Sequence, residues 1–95
     1  MNSNDPIRLK IDGTLDLHAF RPEDLSTLID EYIDACMEKG IYKLRIIHGK
    51  GIGNIRRSVH SLLDRNTHVD GYQLAGQSGG GWGATIVNLK KESPD

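Results

Sequence analysis

The sequence contains one cysteine, Cys36, which excludes an internal disulfide. It has no apolar run near the roughly 18 residues that a membrane-spanning helix needs, so no membrane partner is expected. It also lacks a basic N-terminal segment followed by an apolar stretch of the kind that directs secretion. Together with the lone thiol, that points to a cytoplasmic setting. Neither sign of charge dominates: 12 Lys and Arg stand against 13 Asp and Glu, for a net charge of −1. That balance by itself says nothing about a polyanionic partner.

Ninety-five residues suit a single domain, able to bury roughly 60–65% of its unfolded surface around one modest core. Hydrophobic and charged contents of 37% and 26% are ordinary for a globular chain. The charge is unevenly spread. Residues 12–40 hold eight acids and two bases, Arg21 and Lys39. Residues 41–66 hold six bases, Lys43, Arg45, Lys50, Arg56, Arg57 and Arg65, and one acid, Asp64. A near-neutral chain with a basic half can still bind phosphate locally. Residues 1–11 and 91–95 read as polar tails around a domain spanning 12–90.

Residues 14–18 (TLDLH) alternate strictly and predict a strand, with Leu15 and Leu17 on one face and Asp16 and His18 on the other. Pro22, Glu23 and Asp24 suit the start of a helix. Leu25, Leu28, Ile29, Tyr32, Ile33 and Cys36 supply its apolar stripe, and Gly40 suits its end. Residues 43–48 (KLRIIH) predict a second strand. Ile55, Val59, Leu62 and Leu63 predict a second helix beginning at Gly53 or Asn54. Residues 69–75 and 84–89 predict the last two strands. The order β-α-β-α-β-β, with right-handed crossovers running one way along the sheet, puts both helices on one face of a four-stranded mixed sheet. The fold class expected is therefore an α/β two-layer sandwich.

Both histidine-bearing strands would end on the edge where open α/β sheets bind ligands. There, residues 48–53 (HGKGIG) join a strand to a helix. Gly49, Gly51 and Gly53 allow positive φ and close backbone approach, the helix start offers unpaired N–H groups, and Lys50 adds a full charge. That is the chemistry of a phosphate holder, although its spacing is neither a Walker A loop nor a dinucleotide fingerprint. Asp16 beside His18 could orient the imidazole and raise its basicity, or could be a solvated strand pair. With His48 they also resemble a donor set for a divalent ion, but no compact ligand spacing supports that reading. Arg56 and Arg57 either continue a phosphate track or form a solvated helix face. Trp82, inside the run QSGGGWG, either stacks on a base or folds back as a lid.

These residues resemble a known family. Leu15-Asp16-Leu17-His18 is similar to the LDxH motif of the Smr (small MutS-related) domain, His48-Gly49-Lys50-Gly51 to its HGxG motif, and residues 81–87 (GWGATIV) to its closing strand. The resemblance covers residues 12–90 and looks like a stand-alone Smr protein. It implies a fold similar to the C-terminal domain of translation initiation factor three. It also implies cleavage of RNA or nicking of DNA, with Asp16 and His18 implicated in cleavage and ribosome or repair machinery as partners. One departure is plain. Many members carry glycine after the motif histidine, whereas here Ala19 and Phe20 follow, stiffening the turn and adding an aromatic ring.

The expectation is thus an endonuclease, RNA slightly favoured over DNA because the 2′-hydroxyl supplies an internal nucleophile. Asp16, His18 and His48 are its catalytic candidates. Gly49, Lys50, Gly51, Gly53, Arg56, Arg57 and Trp82 are its nucleic-acid contacts. No cofactor is required on this reading, a divalent metal is admitted, and the chain is a monomer or weak dimer. The competing readings are a nucleic-acid-binding module without catalysis and, more remotely, an enzyme for small phosphate esters.

Overall fold

A computed structural model describes residues 10–49, 53–76 and 83–91. Strand β1 (Thr14–Asp16) is followed by a 3₁₀ turn (Leu17–Ala19). A second such turn, Pro22–Asp24, leads into helix α1 (Leu25–Glu38). Strand β2 (Lys43–Ile47), helix α2 (Asn54–Arg65), strand β3 (Val69–Leu74) and strand β4 (Ala84–Leu89) complete the order. The first strand is shorter than its alternation predicts. Asp16 Oδ1 accepts the backbone N–H of His18 at 3.0 Å and caps the 3₁₀ turn, so the chain leaves the sheet one residue after Asp16.

The sheet order is β1-β2-β4-β3. β1 and β2 are parallel, and β4 is antiparallel to both β2 and β3. Strands β1, β2 and β3 therefore all end on one edge, and β4 begins there, with Ala84 opposite Ile47. Leu15, Leu44, Ile46, Val87 and Leu89 share one sheet face and meet the α1 stripe and Val59 and Leu63 of α2. Ile29 and Ile33 are fully buried, each stabilising the fold by about 1.5–3 kcal/mol. The opposite sheet face, with Thr14, Lys43, Arg45 and Asn88, stays exposed, which is why the strands alternate. This is the expected two-layer sandwich. No helix among the described residues is long and apolar enough to cross a membrane.

The α1 stripe also fixes where β1 starts. Tyr32, on that stripe, donates its hydroxyl to the Thr14 carbonyl at 3.1 Å and accepts the Gly13 N–H at 3.0 Å. Burial and the nearby thiol push its hydroxyl up to about 12, so it stays a donor at any physiological pH.

Candidate active site

Asp16 and His18 meet at the end of β1. The Asp16 carboxylate accepts from the His18 ring Nδ1 at 2.6 Å as well as from its backbone N–H. Those two contacts, the backbone one first, hold the Asp16 carboxyl below the usual carboxylate range. A carboxylate can only accept, so Nδ1 carries the proton and Nε2 is left without it in the neutral ring. That Nε2 points across the strand ends to β2. A Cβ built on Gly49 would lie 3.4 Å from it, and Gly49 has φ of +91°, a conformation that L side chains rarely adopt. The free nitrogen of His18 is thus seated against the bare backbone of the glycine turn.

The turn is held from below. Both the His48 and Gly49 N–H groups donate to the Gly83 carbonyl, at 2.8 and 2.9 Å, which staples it to the start of β4. His48 continues the inward-facing series of Leu44 and Ile46 and is 8% exposed. Its Nδ1 contacts the Gly49 carbonyl at 3.1 Å and its Nε2 contacts Thr85 Oγ1 at 2.8 Å. His60 of α2 approaches the same hydroxyl with Nε2 at 2.8 Å. The two rings stand nearly perpendicular, 6.1 Å apart.

One proton pattern satisfies all three contacts. A carbonyl only accepts, so His48 Nδ1–H donates to Gly49. His48 Nε2 then accepts the Thr85 O–H, and Thr85 Oγ1 accepts the His60 Nε2–H. Burial above all, with the Gly49 contact opposing it and Arg56 aiding it, pulls His48 below the usual histidine range. His60 is pulled down by burial, then by His48 and Arg56. Both imidazoles are neutral near pH 7. Beyond them, Tyr72 packs on the His60 ring at 4.6 Å and donates to Asp64 at 2.7 Å.

Gly53, with φ of +93° and no side chain, precedes α2 and leaves its first amides without a side-chain cap. Both arginines reach back towards Gly53, the Arg57 Nη2 lying 4.0 Å from where a Gly53 Cβ would sit. The Arg56 guanidinium folds back, within 3.2 Å of where a Gly53 Cβ would sit. Arg57 lines an open groove between the helices, with Ser58, Ser61 and Arg65. Lys50, Gly51 and Trp82 lie outside the described residues.

Of the sequence candidates, Asp16, His18 and Gly49 therefore meet at one corner with His48 directly beneath, while Gly53, Arg56 and Arg57 gather at the start of α2. His18 and His48 share the wall of a single cavity. Among the described residues, no three His, Cys, Asp or Glu side chains converge as a metal-holding group. The sequence reading passed over Thr85 and did not connect His60 with His48. A signal existed: Thr85 shares the inward parity of Val87 and Leu89, as His48 shares that of Leu44 and Ile46.

The Smr domain family matches residues 15–90. The protein named endonuclease MutS2 of Halothermothrix orenii is 41% identical over 81 residues, 85% of this chain and 10% of its own length. That of Lactobacillus gasseri is 47% identical over 76 residues, 80% of this chain and 10% of its own length. The chain spans about a tenth of these relatives. Among solved structures, the Smr domain of Thermus thermophilus MutS2 superposes with a TM-score of 0.77 at 28% identity, covering 83% of this chain and 99% of that one. YdaL, a stand-alone small MutS-related protein from Escherichia coli, gives 0.75 at 32% identity, covering 83% of this chain and 65% of that one.

Proposed function

This chain belongs to the Smr domain family, and on that footing we propose that it is a nucleic-acid endonuclease, with RNA slightly favoured over nicking of DNA. The observation that carries the proposal is the Asp16–His18 pair, whose free Nε2 faces the bare backbone of Gly49. An anion at this turn meets the uncapped amides of α2 and the Arg56 guanidinium, which stabilise charge as it develops on the phosphate oxygens.

In RNA the steps are few. His18 Nε2 takes the proton of the 2′-hydroxyl, and the freed oxygen attacks the adjacent phosphorus. The bond to the 5′ oxygen breaks, and the imidazolium returns its proton to that leaving oxygen. Asp16 holds the ring in the tautomer that makes Nε2 the base. Nicking of DNA needs a water nucleophile in place of the 2′-hydroxyl, activated by the same base or by a metal ion.

A second reading, a binding module without catalysis, gains from His48: both its ring nitrogens are engaged, so it offers no second free imidazole. The deciding experiment is purified protein on labelled single- and double-stranded RNA and DNA, with and without EDTA, beside the Asp16→Ala/His18→Ala double variant. Cleavage lost in the variant with binding retained supports the enzyme. Binding without cleavage in the parent supports the module. An RNA substrate with a single 2′-deoxy position at the cut must resist cleavage, and an unchanged rate there would rule out the internal nucleophile.

A further inference from the structure

Between the 3₁₀ turn after β1 and the start of α2 lies a cavity of about 210 Å³. Its walls are Leu17, Phe20, Leu25 and Ile55, with His18 and His48 at one end. Phe20 and Ile55 are only partly buried, so apolar surface faces the space beside the proposed phosphate position. We propose that this cavity is a nucleobase pocket that receives a single-ring pyrimidine next to the phosphate held at Gly49. The inference rests on the nuclease reading for the placement of that phosphate.

Three observations support it. The first is size. An apolar cavity of about 150 Å³ accepts a benzene ring, so one of 210 Å³ accepts a six-membered ring with its exocyclic groups. A purine adds a fused second ring, which overfills this volume at the same packing and leaves part of the base outside the open mouth. The second is wall chemistry. Phe20 offers an aromatic ring for a base to contact, while Leu17, Leu25 and Ile55 line the space beside it with carbon. The third is the state of the polar end. His48 spends both ring nitrogens on Gly49 and Thr85, and His18 spends Nδ1 on Asp16. Only His18 Nε2 remains, and it serves the sugar and phosphate. Among the described residues, no wall side chain is left to read the hydrogen-bonding edge of the base. The pocket therefore discriminates by ring size, and uracil and cytosine enter it alike.

The test follows the methyl signals of Leu17, Leu25 and Ile55 in the full chain during titration with 3′-UMP, 3′-CMP, 3′-GMP and inorganic phosphate. The two pyrimidine nucleotides are expected to shift all three residues at concentrations where 3′-GMP and phosphate leave them still. Phe20→Ala weakens pyrimidine binding about tenfold, the loss of one base–aromatic contact, and lets 3′-GMP reach the same methyls. Ile55→Phe fills the cavity and abolishes the shifts. If either variant fails to fold, the ranking of nucleotides by the parent chain still decides. A purine that binds as well as a pyrimidine, phosphate that reproduces the shifts, or silent methyls at millimolar nucleotide would overturn the proposal. A second arm maps the cuts made in a random single-stranded RNA pool, where pyrimidines should be enriched on one side of the broken bond. Cuts without base bias, together with silent methyls, remove the pocket and leave the nuclease reading in place. Methyl shifts without any cuts do the reverse.

Discussion

His18 and His48 stand beyond the ends of neighbouring parallel strands, and their surroundings oppose each other. The His18 side chain is 67% exposed, bonded to a charged carboxylate, and keeps one nitrogen without a partner among the described residues. His48 is 8% exposed, bonded to a neutral carbonyl and a neutral hydroxyl, and keeps none. The same side chain does two different jobs because of what its first nitrogen meets. A carboxylate fixes one ring nitrogen as the donor and turns the other outward. A buried carbonyl and hydroxyl hold it neutral and make it a brace for the turn.

The contrast is most sharply broken at His18. His18→Ala is expected to lower cleavage by about 10²–10⁴-fold, the usual worth of a positioned acid–base group. Its thermal midpoint should stay at the parent value, since an exposed ring leaves no void. A midpoint that falls along with activity would make His18 structural and erase the distinction from His48.

The buried side should answer in stability. Thr85→Val keeps the shape but leaves two imidazole nitrogens without their partner, at a cost of about 1–3 kcal/mol in urea unfolding. Thr85→Ser should recover most of it. Nitrogen-15 spectra of labelled histidine should find His48 protonated on Nδ1 and His60 on Nε2, opposite tautomers across one hydroxyl. Matching tautomers would overturn the proton pattern assigned to this trio.

Acid should separate the pair further. His48 and His60 have folded-state values below the ordinary 6.5, so the unfolded chain binds more protons as pH falls. Their stabilising contribution is complete above about pH 6.5 and is lost on acidification towards the folded values. The urea midpoint should thus drop between pH 7.5 and 5.5, and less steeply in a His60→Gln variant. Asp16 has the carboxylate sign: its contribution is present above its ordinary 3.8 and disappears only at lower pH.

The smallest effect belongs to the rim. Arg57 faces the open groove, so Arg57→Ala should weaken nucleic-acid binding modestly. It should also reduce the slope of log affinity against log salt by about one phosphate contact. A slope identical to the parent's would place the strand elsewhere.

Much of this architecture was legible in the sequence, because period-2 and period-3.6 patterns report directly on which side of an element is buried. Leu25 through Cys36 mark α1, and residues 84–89 are strand β4 as read. The backbone freedom of Gly49 and Gly53 was legible too, and both take positive φ. The end of β1 was not. Alternation carries on through His18, and only the carboxylate of Asp16, turning back on the amide two residues later, stops the strand. The His48–Thr85–His60 trio was harder to read for another reason, since parity shows burial but not partnership. Its members are separated by 37 and 25 residues, and a threonine within ATIV looks like any β-branched strand residue. Nothing local marks a hydroxyl that two distant rings will share.

The strand order carries a consequence for how this corner comes into being. β4, last along the chain, inserts between β2 and β3, and the Gly83 carbonyl at its head gathers the amides of His48 and Gly49. The Asp16–His18 pair is local and can form as soon as its own turn does. The glycine turn and the brace beneath it must wait for pairings between residues about forty positions apart, the slow kind of contact in folding. A chain still lacking its final strand holds the base but has nowhere fixed to hold a phosphate. Assembly of the corner is therefore timed by the closing strand, the last strand of the chain to be made.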